Sequence, residues 1–167
     1  MAGAPGVDHE AMAAARSRLE DGEVLPASEL ADLLSLDGDG FAVGALGLVW
    51  ESLSLAEVRA HLEVDHRHRQ PYGIVHGGVW CAVVESLASV AGALHAAGAG
   101  RLVVGVSNAT DFLRSHRDGR IDAVGTPIHV GRTQQLWQVV LTRAGDGAAV
   151  ARGQVRLAVI EPERVAG

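Results

Sequence analysis

The stretch Gly77-Gly-Val-Trp-Cys-Ala-Val-Val-Glu-Ser-Leu-Ala-Ser-Val-Ala-Gly-Ala-Leu-His-Ala-Ala97 decides the fold that this sequence predicts. It is rich in alanine and is followed by Gly98-Ala-Gly100, so a helix over residues 77–97 is expected. At about 100° per residue, its apolar side chains occupy an arc of roughly 180°. We expect the buried arc to contain Val79, Ala82, Val83, Leu87, Val90, Ala91 and Leu94. Glu85 and Ser89 lie one turn apart beside one edge of this arc.

Strand-like runs lie on both sides of the predicted helix. Alternating apolar residues and glycine-containing turns indicate strands at 46–53, 57–64, 102–113, 120–130, 133–143 and 148–160. Asp118-Gly119 and Asp146-Gly147 are typical of tight turns. One helix cannot cover a six-stranded face from outside, so the sheet must wrap around it. The sequence therefore predicts an α+β fold, an antiparallel sheet of about six strands around one long central helix, with the last four strands forming a meander.

The chain length of 167 residues favours one domain with extensions. Residues 1–40 are predicted to form an N-terminal helical or disordered extension, with helices at 9–20 and near 28–34. Residues 41–160 would form the domain itself, and residues 161–167 a C-terminal tail.

Composition and charge exclude several functions. The net charge of −6 argues against a nucleic-acid binder, and no uninterrupted apolar run reaches the length of a membrane span. The start of the chain lacks the pattern of a signal peptide, and a single cysteine, Cys81, fits a reducing cytosol, so a cytoplasmic protein is expected. Residues 66–167 carry a balance of +4, against −10 for residues 1–65. The second part could hold an anionic ligand, although scattered surface arginine explains the balance equally well.

The two glycines at the start of the helix suggest an anion-binding site. Free backbone N–H groups at a helix start can stabilise an oxyanion, and glycine allows close approach. Glu85 lies eight residues beyond Gly77, about 12 Å along a helix. The two groups of one chain therefore cannot act on the same atom. If both are catalytic, they must meet across a subunit interface.

Four stretches resemble one known family. These are Gly73-Ile-Val-His76-Gly77-Gly78-Val79, Cys81-Ala-Val-Val-Glu85-Ser-Leu-Ala-Ser89, the segment 105–114 and the segment 128–133. They resemble the hotdog-fold acyl-CoA thioesterases of the phenylacetate-pathway type, and within it the Arthrobacter-type 4-hydroxybenzoyl-CoA thioesterases, over roughly residues 45–160. The resemblance implies a hotdog fold, hydrolysis of an acyl-CoA thioester without a cofactor, an aromatic acyl group, and a homodimer or a homotetramer built as a dimer of dimers.

The resemblance also implies roles for individual residues. Glu85 would be the nucleophile or the general base on water, and Ser89 would assist it. Gln70, His76 and the Gly77 N–H would contact the thioester from the opposing subunit. Arg114 and the turn Gly131-Arg132-Thr133 would hold coenzyme A. Arg132 departs from the Arthrobacter-type enzyme, which has a small hydroxyl residue there.

Other interpretations of these residues stay open. Glu85 could be solvated, and His76 could cap the helix. A non-catalytic acyl-CoA-binding module would have no use for Glu85, and a hotdog hydratase would need an Asp and a His at a spacing that is not found. Trp80, Phe41 or Trp50 could line a tunnel for a medium-chain acyl group instead of an aromatic one.

Two further constellations are not predicted to be functional sites. His61, His66 and His68 alternate with Arg67 and Arg69, which disfavours a bound cation, so no metal site is expected. A thiol-nucleophile pair of Cys81 and His76 would need a third group to orient the histidine.

Overall fold

One long helix packs against one face of a seven-stranded antiparallel sheet in the computed structural model, which describes residues 9–33 and 40–162. The helices are α1 (His9–Glu20), α2 (Ala27–Leu33) and α3 (Gly77–Ala97), with a π-helical turn at Phe41–Ala45 and a 3-10 turn at His66–His68. The strands are β1 (Leu25–Pro26), β2 (Leu48–Leu53), β3 (Val58–Val64), β4 (Leu102–Phe112), β5 (Gly119–Val130), β6 (Gln134–Arg143) and β7 (Ala149–Ile160).

The predicted fold class is confirmed, and the predicted helix at 77–97 has the bounds of α3. The six predicted strands correspond to β2–β7, with ends that differ by at most two residues. The seventh strand is the two-residue β1, which pairs with the end of β2. Residues 1–8 and 34–39, and residues 163–167 of the predicted tail, lie outside the described residues.

The predicted meander of the last four strands is wrong. The strand order is β1-β2-β3-β5-β6-β7-β4, so β5, β6 and β7 form consecutive hairpins while β4 pairs with β7. Asp118-Gly119 therefore leads into β5 without closing a hairpin from β4. The connection at 113–118 is tied to the start of β7 and to the loop before α3, because Leu113 N–H donates to the Val150 carbonyl and Val75 N–H to the His116 carbonyl. β4 consequently lies at an edge of the sheet.

The buried face of α3 is rotated from the predicted arc. Val83, Leu87, Ala91 and Leu94 are buried as expected, but Val79, Ala82 and Val90 are only half-buried. Trp80, Val84 and Ala88 are buried instead. The curved sheet contacts α3 mainly through β4, β7, β6 and β5, so contacts from these strands, and not hydropathy alone, set the buried face. Glu85 and Ser89 remain beside the edge of the buried face.

The N-terminal helices contribute to the same core as the sheet. Met12 and Leu25 are each 1% exposed and pack among the core residues of β2 and α3. Arg16 donates from Nη1 to the His95 carbonyl near the end of α3 (3.1 Å). This contact, together with the packing of α1 against α3, places α1 over the C-terminal part of the central helix.

By length and composition alone, α3 could cross a membrane, because its most apolar 18-residue window has a mean hydropathy of 1.5. Core helices of soluble proteins satisfy the same criteria. The most deeply buried residues of α3 are those that face the sheet, so packing within the domain accounts for its apolar character.

Candidate active site

The segment before α3 is fixed by a chain of hydrogen bonds. Asp65 accepts from the Arg67 backbone N–H and from its guanidinium, and these bonds lower the pKa of Asp65 to about 2. His68 is buried. Its Nδ1 accepts from the Asp65 N–H, and its Nε2 lies 2.8 Å from the Leu46 carbonyl, so Nε2 carries the proton. The His68 carbonyl then accepts from the His76 N–H (2.8 Å). This framework holds both ends of the loop that carries Gln70.

His76 is the N-cap of α3. Its Nδ1 accepts from the Gly78 N–H at 2.9 Å, which satisfies one of the free donors at the helix start. In the neutral ring the proton therefore lies on Nε2. Gly77 follows as the first helical residue, and its N–H has no acceptor among the described residues. A donor without a partner at the positive end of a 21-residue helix is suited to a developing negative charge.

A cavity of about 270 Å³ opens at this helix start. Three residues predicted to lie in the site, Gln70, Gly77 and Arg114, line it together. Trp80 and Phe112 form apolar parts of its wall, and the Phe112 ring packs against Gly77 so closely that a Cβ there would collide with it. Of the aromatic residues considered for an acyl tunnel, Trp80 lines this cavity, Trp50 is buried in the core, and Phe41 is 65% exposed.

Glu85 lies two turns further along α3, half-buried between the helix and β4. Its Oε1 accepts from the Ser89 hydroxyl over a long 3.4 Å contact. Glu85 and Ser89 are thus brought together as predicted. The Glu85 carboxylate does not line the cavity at Gly77, which is consistent with about 12 Å of helix rise between the two residues.

Asn108 was not among the predicted site residues, yet it holds Glu85. Its side-chain amide donates to Glu85 Oε2 at 2.9 Å and to the Cys81 carbonyl at 3.0 Å. The Thr110 hydroxyl donates to Asn108 Oδ1 at 2.7 Å. Asn108 stood inside the segment 105–114 that carries the family resemblance. That Asn108 contacts Glu85 is evident only from the position of β4 beside α3, which sequence patterns do not reveal.

Arg132 lies far from Arg114 in one chain. Arg114 is hydrogen-bonded to the start of β7, because its backbone N–H donates to the Val150 carbonyl. The turn Gly131-Arg132-Thr133 is bound to the other end of β7, because Val159 N–H donates to the Thr133 carbonyl. Nine residues of strand separate these two points, about 30 Å. A single chain therefore does not bring the two predicted coenzyme A contacts together.

The histidines considered for a metal site lie in separate environments. His61 Nδ1 is 2.8 Å from Glu51 Oε1, His68 is enclosed by the bonds described above, and His66 is exposed. Cys81 is half-buried and follows the helix cap by more than one turn. Among the described residues, the His76 ring makes one hydrogen bond, in which Nδ1 accepts from the Gly78 N–H. His76 and Cys81 therefore form no hydrogen-bonded pair there.

Comparison with known proteins identifies the class to which this fold and site belong. Residues 72–150 match the Thioesterase superfamily. A Mycobacterium tuberculosis protein designated an esterase, Rv1847, is 48% identical over 118 residues, which cover 70% of this chain and 84% of that protein. The 1,4-dihydroxy-2-naphthoyl-CoA hydrolase of Escherichia coli is 37% identical over 108 residues, covering 65% of this chain and 79% of the hydrolase.

Solved structures agree with this assignment. The Rv1847 structure superimposes with a TM-score of 0.69 at 44% identity, covering 71% of this chain and 95% of that one. The thioesterase HI1161 of Haemophilus influenzae gives a TM-score of 0.70 at 32% identity, covering 82% and 92%. The chain has the hotdog thioesterase fold and belongs to the Thioesterase superfamily. The prediction of a thioester hydrolase is thereby confirmed, while the roles of individual site residues stay predictions.

The contribution of the His76 cap to stability can be measured separately from any chemical role of His76. We expect His76→Ala to lower the free energy of unfolding by about 1 kcal/mol, because the Gly78 N–H loses its acceptor. His76→Asn should retain most of the stability, since asparagine also caps helices. Urea denaturation measures both variants. Equal stability of wild type and His76→Ala would show that the cap contributes nothing.

Proposed function

We propose that this protein hydrolyses acyl-CoA thioesters and that Glu85 is its catalytic carboxylate. The observation that carries the proposal is the half-buried Glu85 at the junction of α3 and β4, held by Ser89 and Asn108. A solvated surface glutamate would not need two side chains to hold it. The unpartnered Gly77 N–H and the adjoining cavity supply the second requirement, a place for the thioester carbonyl.

The proposed chemistry begins with the thioester carbonyl oxygen accepting a hydrogen bond from the Gly77 N–H. The positive end of α3 then stabilises the negative charge that forms on this oxygen. If Glu85 attacks the carbonyl carbon, the thiolate of coenzyme A leaves and an acyl–glutamyl anhydride remains, which water hydrolyses. If Glu85 takes a proton from water instead, the resulting hydroxide attacks and the same two products form. The first route places one Glu85 oxygen against the carbonyl carbon, and the second places it one water molecule away from that carbon.

We propose that the site is completed by a second copy of the chain. An oxyanion donor and an attacking group must both come within about 3 Å of one thioester, whereas Gly77 and Glu85 of one helix lie about 12 Å apart. β4 has no strand neighbour on its outer edge among the described residues, and its Val104 and Val106 are 39% and 57% exposed. An exposed apolar edge beside Glu85 suits association. A homodimer or a dimer of dimers would bring Gly77 of one chain to Glu85 of the other.

Coenzyme A would be held by arginines from two chains. Arg114 borders the cavity at Gly77, and Arg132 lies at the exposed turn between β5 and β6, with Gly131 and Thr133 on either side. About 30 Å separates the two arginines of one chain. We therefore propose that each coenzyme A molecule is held by Arg114 of one subunit and Arg132 of the other. Guanidinium groups suit phosphate contacts.

The acyl group that we favour is aromatic. The E. coli relative is named for a bicyclic aromatic acyl-CoA, and Trp80 and Phe112 give the cavity at Gly77 an aromatic wall. This preference includes the hydroxybenzoyl and phenylacetyl types that the resemblance to the Arthrobacter-type enzymes implies. A medium-chain acyl group is the alternative, and relative kcat/KM values for benzoyl-CoA and octanoyl-CoA separate the two.

Two broader assignments accompany this function. We propose a cytoplasmic location, since acyl-CoA substrates and an unpaired Cys81 suit a reducing compartment. We also retain residues 41–160 as the catalytic domain, with residues 1–40 as an extension and 161–167 as a tail. The packing of Met12 and Leu25 into the core makes the described part of the extension a support for α3.

Replacing Glu85 tests the mechanism. Glu85→Gln should lower kcat by at least about a hundredfold, in line with the loss of a general base, because the amide can neither attack nor accept the proton. Release of free thiol from benzoyl-CoA and octanoyl-CoA measures turnover, and thermal unfolding should barely change. Glu63→Gln, the same change at an exposed position of β3, is the control. A Glu85→Gln enzyme that keeps more than about a third of wild-type turnover would remove Glu85 from this mechanism.

The arginine contacts are tested with two substrates. Arg114→Gln and Arg132→Gln should each raise KM for benzoyl-CoA about tenfold, the value of a charge-assisted hydrogen bond, with little change in kcat. Benzoyl-pantetheine lacks the nucleotide and phosphates, so its KM should not change. Arg152→Gln, on the exposed face of β7, is the matched control. Equal increases for both substrates would count against phosphate contact.

Subunit mixing tests the shared site. Glu85→Gln and Gly77→Pro should each be inactive, the second because proline has no N–H. After dissociation and random reassembly, about half of the dimers are hybrids with one intact site, so roughly a quarter of wild-type activity should return. Since a Cβ at position 77 displaces the Phe112 ring, circular dichroism must show that Gly77→Pro is folded. Folded hybrids without activity would mean that the site lies within one chain.

A further inference from the structure

Two residues of β4 lie beside the two oxygens of Glu85, one at each oxygen. Asn108 Nδ2 donates to Oε2 at 2.9 Å. Gly105, three positions earlier on the same strand, faces Oε1, because a Cβ built on Gly105 would lie 2.6 Å from that atom. A register shift between Gly105 and Ser107, where β4 pairs with β7, separates the two positions by a bulge. The bulge allows Gly105 and Asn108 to face α3 although they are an odd number of residues apart.

The amide of Asn108 has a single orientation that satisfies its contacts. Its nitrogen donates to Glu85 Oε2 and to the Cys81 carbonyl, which uses both hydrogens. Its oxygen accepts from the Thr110 hydroxyl. Turning the amide over would direct its oxygen at two acceptors and its nitrogen at Thr110. The two acceptors, the Glu85 carboxylate and the Cys81 carbonyl, therefore determine which end of Asn108 meets the carboxylate, and the Thr110 hydroxyl holds the amide oxygen on the other side.

We propose that Asn108 and Gly105 are positioning residues for hydrolysis, and that Oε1 of Glu85 is the oxygen that attacks or accepts the proton. This inference rests on the proposed role of Glu85. Oε2 is engaged by the short bond from Asn108, whereas the hydrogen bond that Oε1 makes among the described residues is the long contact with Ser89 at 3.4 Å. The missing Cβ at Gly105 keeps space beside Oε1.

Variants of Asn108 test its role. Asn108→Ala should lower kcat for benzoyl-CoA about ten- to a hundredfold, the value of a hydrogen bond to a charged group, with KM nearly unchanged. Asn108→Asp is nearly isosteric but places a second carboxylate against Glu85, so the acid limb of the pH–rate profile should move to higher pH. On its own, Thr110→Val should lower kcat, because Thr110 acts through the Asn108 amide. In the Asn108→Ala background the same change should cause no further loss of kcat. Thermal unfolding and light scattering should show unchanged fold and oligomer mass.

Gly105→Ala tests the space at Oε1. The added methyl group meets only the end of a flexible side chain, so the fold should persist while the carboxylate moves and kcat falls at least about tenfold, as displacement of a reacting group predicts. Gly145→Ala, where a Cβ meets nothing within 4 Å, is the control and should leave kcat unchanged.

The outcomes separate this proposal from the proposed function. If Glu85→Gln abolishes turnover while Asn108→Ala and Gly105→Ala retain wild-type kcat and pH profiles, the positioning role is wrong and the role of Glu85 stands. If Glu85→Gln itself retains turnover, the proposed function of Glu85 is wrong and the positioning proposal is overturned with it. A KM increase without loss of kcat in Asn108→Ala would make Asn108 a ground-state binding residue and would also overturn the proposal.

Discussion

The fold depends on covering one long apolar helix with a single sheet. The sheet covers one side of α3, and five of the helix's side chains there are almost completely buried: Trp80, Val84, Leu87, Ala88 and Leu94. Burial of such side chains contributes about 1.5–3 kcal/mol each for the larger ones, so the rotation of the helix is firmly determined. Because that rotation is fixed, Glu85 and Ser89 must lie beside β4.

Helix geometry then divides the chemistry between the two positions on α3. The helix start offers the Gly77 N–H and the capped turn at His76, and the third turn offers the carboxylate. A rigid helix cannot shorten the distance between them, since its rise is about 1.5 Å per residue. Under the proposed mechanism, each helix would supply one half of each of two sites, and a two-fold axis would satisfy that condition for both sites at once.

Much of this arrangement could be predicted from the sequence, because the decisive signals are local. Three signals are each contained within a short segment: the helical spacing of apolar residues in α3, the alternation of apolar and polar residues in β7, and the glycines at 77–78. Strand order could not be read in this way. β4 pairs with β7, more than forty residues later, and nothing in either segment specifies that choice. The buried face of α3 and the contact between Asn108 and Glu85 depend on that pairing, so the predicted buried arc was misplaced and Asn108 was not predicted.

The position of β4 at the sheet edge links association to catalysis. One side of this strand holds Asn108 and Gly105 against Glu85. Its outer edge has no strand neighbour among the described residues, and the strand carries exposed valines. Open apolar edges promote association unless they are protected. In the proposed dimer, the partner that covers this edge would also exclude water from the carboxylate, which strengthens the hydrogen bond from Asn108 as the local dielectric falls. A substitution that loosens the outer edge of β4 would therefore weaken the subunit contact and also disturb the orientation of Glu85. This holds although the subunit contact and Glu85 lie on different sides of the strand.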